Sequence, residues 1–383
     1  MTNLTTPPPA VLRDDTAKLQ GEEDHAADVA PDWKLIWWGF TGHRLAVISL
    51  VLFIPIVMIA LFPGFFATQD PLESNARRSF VPPQTIHWFD EGRLRPHVYA
   101  VEGQRNPETF RMDWIPGEEK LYIDWFSRGF EYEVFGLFTA NAHLMTVEGE
   151  DVTFHIAGTD RLGRDLWSRI MYGTQVSLSI GLVGVMISLF LGVLLGGLSG
   201  YLGGSVDWVI QRLIELLLSL PQIPLWMALS ASLPGDWTVT QVYFAITVIL
   251  SIFGWTTLGR EVRGRFLALR EEDFVVSARL LGASRWRIIF RHMVPSITSH
   301  LIATATLAIP AMILSETALS FLGVGLRPPI ISWGVLLQEA QNLQSVALAS
   351  WVLLPGLFVI VTVLLLNIIG DGLRDAADPY SNH

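Results

Sequence analysis

Gly259-Arg-Glu-Val-Arg-Gly-Arg-Phe-Leu-Ala-Leu-Arg-Glu-Glu-Asp-Phe-Val-Val-Ser-Ala-Arg-Leu-Leu-Gly-Ala-Ser-Arg-Trp-Arg-Ile-Ile-Phe-Arg-His-Met-Val-Pro295 is the stretch that decides the fold. It carries eight arginines and four acids, and long apolar runs lie on both sides of it. An arginine excess in a short loop between two spans marks the cytoplasmic side of a membrane. The loop reads as two short helices. The first runs over 273–281, with Asp273 in the opening turn, where a carboxylate suits the positive end of the helix dipole. Gly282 stands where a left-handed cap residue is wanted. Ser284 can N-cap a second helix through Arg285 to Arg291, which is expected to stop before Pro295. Ser277, Ala278 and Gly282 are small, so another protein's backbone can approach this elbow closely.

Outward from the loop the composition is that of a polytopic membrane protein. The chain has 383 residues, 51% hydrophobic and 16% charged, a membrane rather than a soluble balance. Net charge is −10, but the acids concentrate in the termini and one long loop, so the sign points to no acidic or basic partner and nucleic acid is excluded. Cysteine is absent, which rules out disulfides and thiolate metal sites. The 14 tryptophans suit interfacial belts.

Six spans are expected, at about 45–67, 176–198, 208–233, 239–258, 297–315 and 350–369, since about 20 apolar residues cross a ~30 Å hydrocarbon layer. Residues 1–32 are expected to be a disordered cytoplasmic tail, too polar to bury a core and lacking the apolar centre of a signal peptide. The Trp-rich stretch 33–40 reads as an interfacial segment, so 33–67 holds that segment and the first span. Residues 68–157 read as an external insertion with strand-like pieces at 95–101, 120–125, 145–147 and 152–156, hence a small β-rich or mixed subdomain. Its histidines are expected on the surface. Residues 158–379 form the remaining membrane domain, and 380–383 are a C-terminal tail. Both termini fall in the cytoplasm.

Within the third expected span, Arg212 and Glu215 lie three apart, and Pro221 and Pro224 are expected to kink the helix toward a cavity. Glu316 ends the fifth. Ionisable groups at such depth face protein or water and pair. Arg212, Glu215, Pro221 and Glu316 are therefore candidate pore or gate residues, with a helix-end ion pair and a turn cap as the plainer readings. Near residue 160, Asp160 reads as a helix N-cap ahead of an interfacial helix with Leu166 and Ile170 toward lipid.

Four motifs carry a resemblance. The segment 273–295 resembles the EAA loop of ABC importer permeases, with Ala278, Gly282 and Pro295 in place, although Val276 and Ser277 stand where the family has Glu-Ala. Gly158-Thr-Asp-Arg-Leu-Gly-Arg-Asp-Leu-Trp-Ser-Arg169 is similar to a motif of the C-type permeases of dipeptide and oligopeptide importers, and so places Asp160, Gly163, Arg164, Asp165, Ser168 and Arg169. Glu316-Thr-Ala-Leu-Ser-Phe-Leu-Gly-Val-Gly325 with Ser332-Trp-Gly334, and Asn367 to Pro379, are similar to two more.

The resemblance implies an all-α type I importer permease in the bacterial inner membrane, with an unusually long external insertion. It implies a B-type permease as heterodimer partner, two cytosolic ATPases, an external peptide-binding protein, and a peptide substrate. Asp273, Ser277, Ala278, Arg279, Gly282, Ala283, Arg285 and Pro295 would then face the ATPase. ATP and Mg would be used by those partners, and this chain would hold no cofactor or metal. No phosphate loop, His-Glu-x-x-His pair or nucleophile elbow occurs, so the chain reads as no enzyme. The competing class is a self-sufficient carrier or channel, which calls for inverted repeats and several paired intramembrane charges. No clear repeat is visible.

Overall fold

The computed structural model describes residues 32–105, 107, 112–147 and 154–377. The expected N-terminal tail before Asp32, the C-terminal tail at 380–383, and residues 152 and 153 of the last expected strand lie outside the described residues.

The chain opens with α1 (Asp32–Gly42) and α2 (Arg44–Leu61). The His43 ring accepts the Ala46 N–H at 3.2 Å and so caps α2. After Arg44, α2 carries no charge and leaves most of its surface uncovered, which suits a helix facing lipid. Its inner stripe packs through Ala46, with Phe40 of α1, onto Ile369.

A four-stranded antiparallel meander follows: β1 (His87–Asp90), β2 (Arg93–Arg105), β3 (Met112–Val134) and β4 (Phe138–Val147). His97 faces Tyr122, Trp125 faces Met145, and Val134 faces Phe138. Its small core is Val98, Leu121, Ile123 and Phe154. Hydrogen bonds from Lys120 and then Tyr122 hold the Asp90 carboxyl below the usual aspartate range. Residues 154–156 form no strand. One expectation about side chains fails here. His97, His143 and His155 are buried rather than on the surface. His143 is drawn inward because the carbonyls of Ala67 and Phe130 lie 3.0 and 2.9 Å from its two ring nitrogens. Among the described residues no cluster of three metal-ligating side chains forms.

The helical body contains α3 (Leu166–Leu202), α4 (Gly204–Ser219), α5 (Gln222–Ala231), α6 (Val239–Leu269), α7 (Asp273–Leu280), α8 (Thr298–Phe321) and α9 (Leu354–Ala376). At about 1.5 Å per residue, the 37 residues of α3 reach roughly 55 Å. It begins at the sheet and ends beside the elbow. α3 and α6 run parallel and touch through backbone. Gly192 lies on Leu258, Gly196 on Gly259, and Gly200 on Phe266 and Arg263. Small residues let membrane helices approach this closely, so that dispersion contacts and packing replace the missing hydrophobic drive.

Five described helices are long and apolar enough to cross a membrane, and a bent pair makes a sixth if it crosses as one unit. That pair corrects the third expected span. α4 and α5 meet at 88° across Leu220–Pro221, a full break rather than a kink. Pro221 is the N-cap of α5 and Pro224 falls in the first turn of that helix, where a missing N–H costs nothing. The helix of the fourth expected span runs past 258. α6 continues unbroken to Leu269, so Arg260, Glu261, Arg263 and Arg265 are helical.

The seam predicts a steep size limit. A Cβ at Gly196 would sit 2.4 Å from the Gly259 carbonyl oxygen. Gly196→Val should therefore lower stability by about 1–3 kcal/mol, the usual overpacking range, or prevent insertion. Thermal unfolding of the detergent-solubilised chain measures it. An unchanged melting curve would mean that the helices do not pack here.

Candidate functional site

The elbow is built from α7 and the irregular helix after it. Val275 and Ala278 of α7 turn inward onto Val262 and Phe266 of α6 and onto Ile288, Ile289 and Met293. The end of α7 is closed by a paired set of backbone bonds. Gly282 N–H reaches Arg279 O and Ala283 N–H reaches Ala278 O, both at 3.0 Å. This is the Schellman arrangement, which needs a left-handed residue at its corner, and Gly282 has φ 79°. Ser284 then caps the next helix through the Arg287 N–H.

Two expectations about this loop are corrected. The second helix does not stop before Pro295. It widens to a π-helical turn over Ile288–Met293, with Val294 N–H bonded to Ile289 O, and continues through Val294–Ser296. A widened turn accommodates a proline that a regular helix would reject. Ala278 is buried against its own chain rather than offered to a partner.

The outer face of the elbow is apolar and basic at once. Leu280 and Leu281 are 82% and 88% exposed, and Trp286 stacks on Phe290 with ring centres 5.7 Å apart. Asp273, Ser277, Arg279, Arg285 and Pro295 share this exposure, and Ala283 is half-buried.

Behind the elbow lies a cavity of about 760 Å³. Its inner wall includes Trp226, Phe253 and Met312, and its charged rim includes Arg260, Arg265 and Arg374. Glu261 and His300 also line it and face each other at 3.6 Å. The structure brings these rim residues together from α6, α8 and α9, and sequence spacing held no signal for that.

The candidate gate residues do not line this cavity. Arg212 and Glu215 pair at 2.6 Å, exposed on α4. Pro221 marks the helix break. Glu316 is fully buried and accepts hydrogen bonds from Ser320 at 2.7 Å and Ser332 at 2.8 Å. It therefore ties α8 to the short helix Trp333–Gln338.

An ion pair that sequence reading missed holds the base of the body. Arg263 grips Asp207 with two bonds, of 2.5 and 2.7 Å, and Ser199 donates to the same carboxylate. The partners are far apart in sequence, on α4 and α6, so no helical spacing announces them.

The motif at the sheet end forms a buried clamp. Asp165, not Asp160, caps α3, accepting the Ser168 N–H at 2.7 Å. The Thr68 and Gln69 N–H groups both donate to Ser168 Oγ at 3.0 Å, and His155 Nδ1 lies 3.0 Å from Asp165. Asp160 accepts the N–H groups of Leu162 and Arg164 and pairs with the Arg164 guanidinium at 2.6 Å. Arg169 reaches the Pro71 carbonyl. Gly163, φ 71°, leaves no room for a Cβ, which would lie 1.9 Å from Asn75 O. Leu166 and Ile170 are buried in protein rather than turned to lipid. The cause is that α3 starts inside the clamp, beneath the returning chain from α2.

Several membrane-spanning helices, packed through a glycine seam and enclosing a cavity with a charged rim, make this an integral membrane protein. Residues 192–381 match the binding-protein-dependent transport system inner membrane component, and residues 32–83 match the N-terminal membrane domain of oligopeptide transport permease C. The oligopeptide transport system permease protein OppC of Bacillus subtilis is 27% identical over 348 residues, 91% of this chain and 89% of that one. OppC of Escherichia coli is 41% identical over 226 residues, 59% of this chain and 72% of its own. The glutathione transport system permease protein GsiD of Pectobacterium atrosepticum is 37% identical over 225 residues, again 59% and 72%. The chain belongs to this family of binding-protein-dependent transport permeases and is a multi-pass membrane subunit.

The Asp207–Arg263 pair lends itself to a double-mutant cycle. Asp207→Asn and Arg263→Gln should each destabilise the chain, and the two effects should couple by about 0.5–3 kcal/mol, as for residues in one network. Strictly additive melting shifts would show that the pair does not hold α4 to α6.

Proposed function

We propose that the chain is one half of a heterodimeric pore in an ATP-driven importer of peptides, working beside a B-type permease. Two ATPases sit at the elbow and a peptide-binding protein delivers at the sheet. The names of the relatives, oligopeptide and glutathione permeases, support the peptide class. In this reading six spans cross the membrane, the bent α4–α5 pair counting as one. Both termini and the elbow lie in the cytoplasm, and the insertion of residues 68–157 lies outside. The chain performs no chemistry, since ATP and Mg are handled by the ATPases.

The observation that carries the reading is the mounting of the elbow. Its apolar–basic outer face is free, while its inner face is fused to α6 through Val262, Phe266, Val275 and Ile289. A push on α7 must therefore move α6, and with it the cavity wall at Phe253 and Arg260. Tightly packed elements transmit displacement because interiors compress little. Asp273, Ser277, Arg279, Arg285, Leu280 and Leu281 form the ATPase contact. Gly282 sets the corner, and Ala278 and Ala283 pack beneath it. Glu316, Asp160 and Asp165 serve as internal struts.

Nothing lies within 4 Å of a Cβ built on Gly282, so a substitution there acts on the backbone alone. Gly282→Val should cost roughly 1–2 kcal/mol of local left-handed strain and tilt the corner. Gly282→Asn, which tolerates that backbone, should be milder. In the reconstituted importer the valine variant should keep its membrane level but lose ATP-driven peptide uptake, with the asparagine variant in between. Normal uptake by the valine variant would remove the elbow from the coupling path.

A further inference from the structure

The turn between β3 and β4 belongs neither to the clamp nor to the cavity. It reads Val134-Phe-Gly-Leu-Phe138 and carries no charge. Phe135 is 58% exposed, Leu137 81% and Phe138 59%. Phe135 (φ 53°) and Gly136 (φ 67°) are both left-handed. Such a corner favours Gly, Asn or Asp, yet its first place is held by a bulky ring.

The hairpin also has a direction. His143 lies on the Ala67 carbonyl at 3.0 Å. One step along, the Tyr132 ring covers Gly64 so closely that a Cβ there would lie 2.3 Å away. At the tip, Phe135 meets Phe62 with ring centres 5.9 Å apart. The contacts thus follow the chain backward from Ala67 to Phe62, toward the end of α2. From there α2 continues with Ile54, Met58 and Leu61 uncovered. In a multi-pass membrane protein that face meets lipid, and the hairpin tip extends it.

We propose that the tip, Phe135-Gly-Leu-Phe138, inserts into the sheet-side leaflet of the bilayer and anchors the external subdomain to the lipid surface. Aromatic and leucine side chains are at home at headgroup depth, where an apolar body can be buried beside a polar boundary. The hydrogen bonds of β3 to β4 pair the facing edges of the hairpin behind the tip, and shallow burial keeps the outer edges at headgroup depth, where water can satisfy them. Continuity with the lipid face of α2, rather than exposure alone, selects lipid over a protein partner.

The chain lacks cysteine, so a single fluorophore can be placed on Leu137→Cys. A control goes on exposed Glu118→Cys, far back along β3. The full chain is reconstituted in phospholipid vesicles with shallow spin-labelled lipids. The Leu137 label should lose most of its fluorescence to the lipid quencher and resist aqueous iodide, and the Glu118 label should do the reverse. Phe135→Ser/Phe138→Ser, carrying the Leu137 label, should shift toward iodide while the melting of the helical body is unchanged. Equal iodide quenching at both positions overturns the proposal. So does a Leu137 label that is shielded only after a binding protein is added, which would assign the tip to a protein contact. Retained lipid quenching in the double serine variant would also overturn it, because the aromatic tip would then not be the anchor.

Discussion

The backbone contact between α3 and α6 is the constraint on which the rest of the structure depends. Membrane helices gain little from the hydrophobic effect, because lipid is as apolar as leucine. Their association rests on close approach, and here glycines 192, 196 and 200 provide it against Leu258, Gly259 and Phe266. The seam fixes the longest helix of the chain beside the one that carries the elbow. It also sets the rim of the cavity, since Arg260, Glu261 and Arg265 project from the same stretch of α6. Losing the seam would free the elbow from the body, whatever happened to the elbow itself.

Two polar assemblies secure the ends of that seam. At the sheet end, Asp165, Ser168 and His155 fasten the start of α3 to the chain leaving α2. At the other end, Arg263 on α6 grips Asp207 on α4. Polar groups withdrawn from water are tolerable only when satisfied, and both sets, the first buried and the second half-buried, are largely built from mutual partners. The charges that sequence reading offered as gate residues, or more plainly as a helix-end pair and a turn cap, find partners within the chain. Glu316 anchors serines, and Arg212 with Glu215 forms an exposed pair, which contributes little by itself. The charged groups that line the cavity are the rim residues on α6, α8 and α9.

Much of the framework was legible in the chain. The apolar runs, the arginine-rich loop, the left-handed corner at Gly282 and the cap at Ser284 are local, and local chemistry decides them. Hydropathy marked the long apolar helices because unpaired backbone in lipid is so unfavourable that helix is the only open-chain solution. Where the reading failed, a nonlocal partner intervened. Ala278 looked like surface until Phe266 and Ile289 covered it. Leu166 and Ile170 looked like a lipid face until the clamp closed over them. The end of α6 looked like loop because arginines are poor in hydropathy, although they are good helix formers.

By itself the sequence determined that this is a polytopic membrane protein with a basic handle, and where its apolar runs, the corner at Gly282 and the cap at Ser284 lie. Those outcomes depend on solvation and on neighbours three or four residues away. Only the tertiary structure decided that α4 and α5 break at 88°, that Asp207 meets Arg263, that a cavity forms behind the elbow, and that the β3–β4 tip turns toward the end of α2. Each of these is set by residues distant in the chain. Their encounter depends on how whole helices pack, and no periodicity along the sequence encodes that.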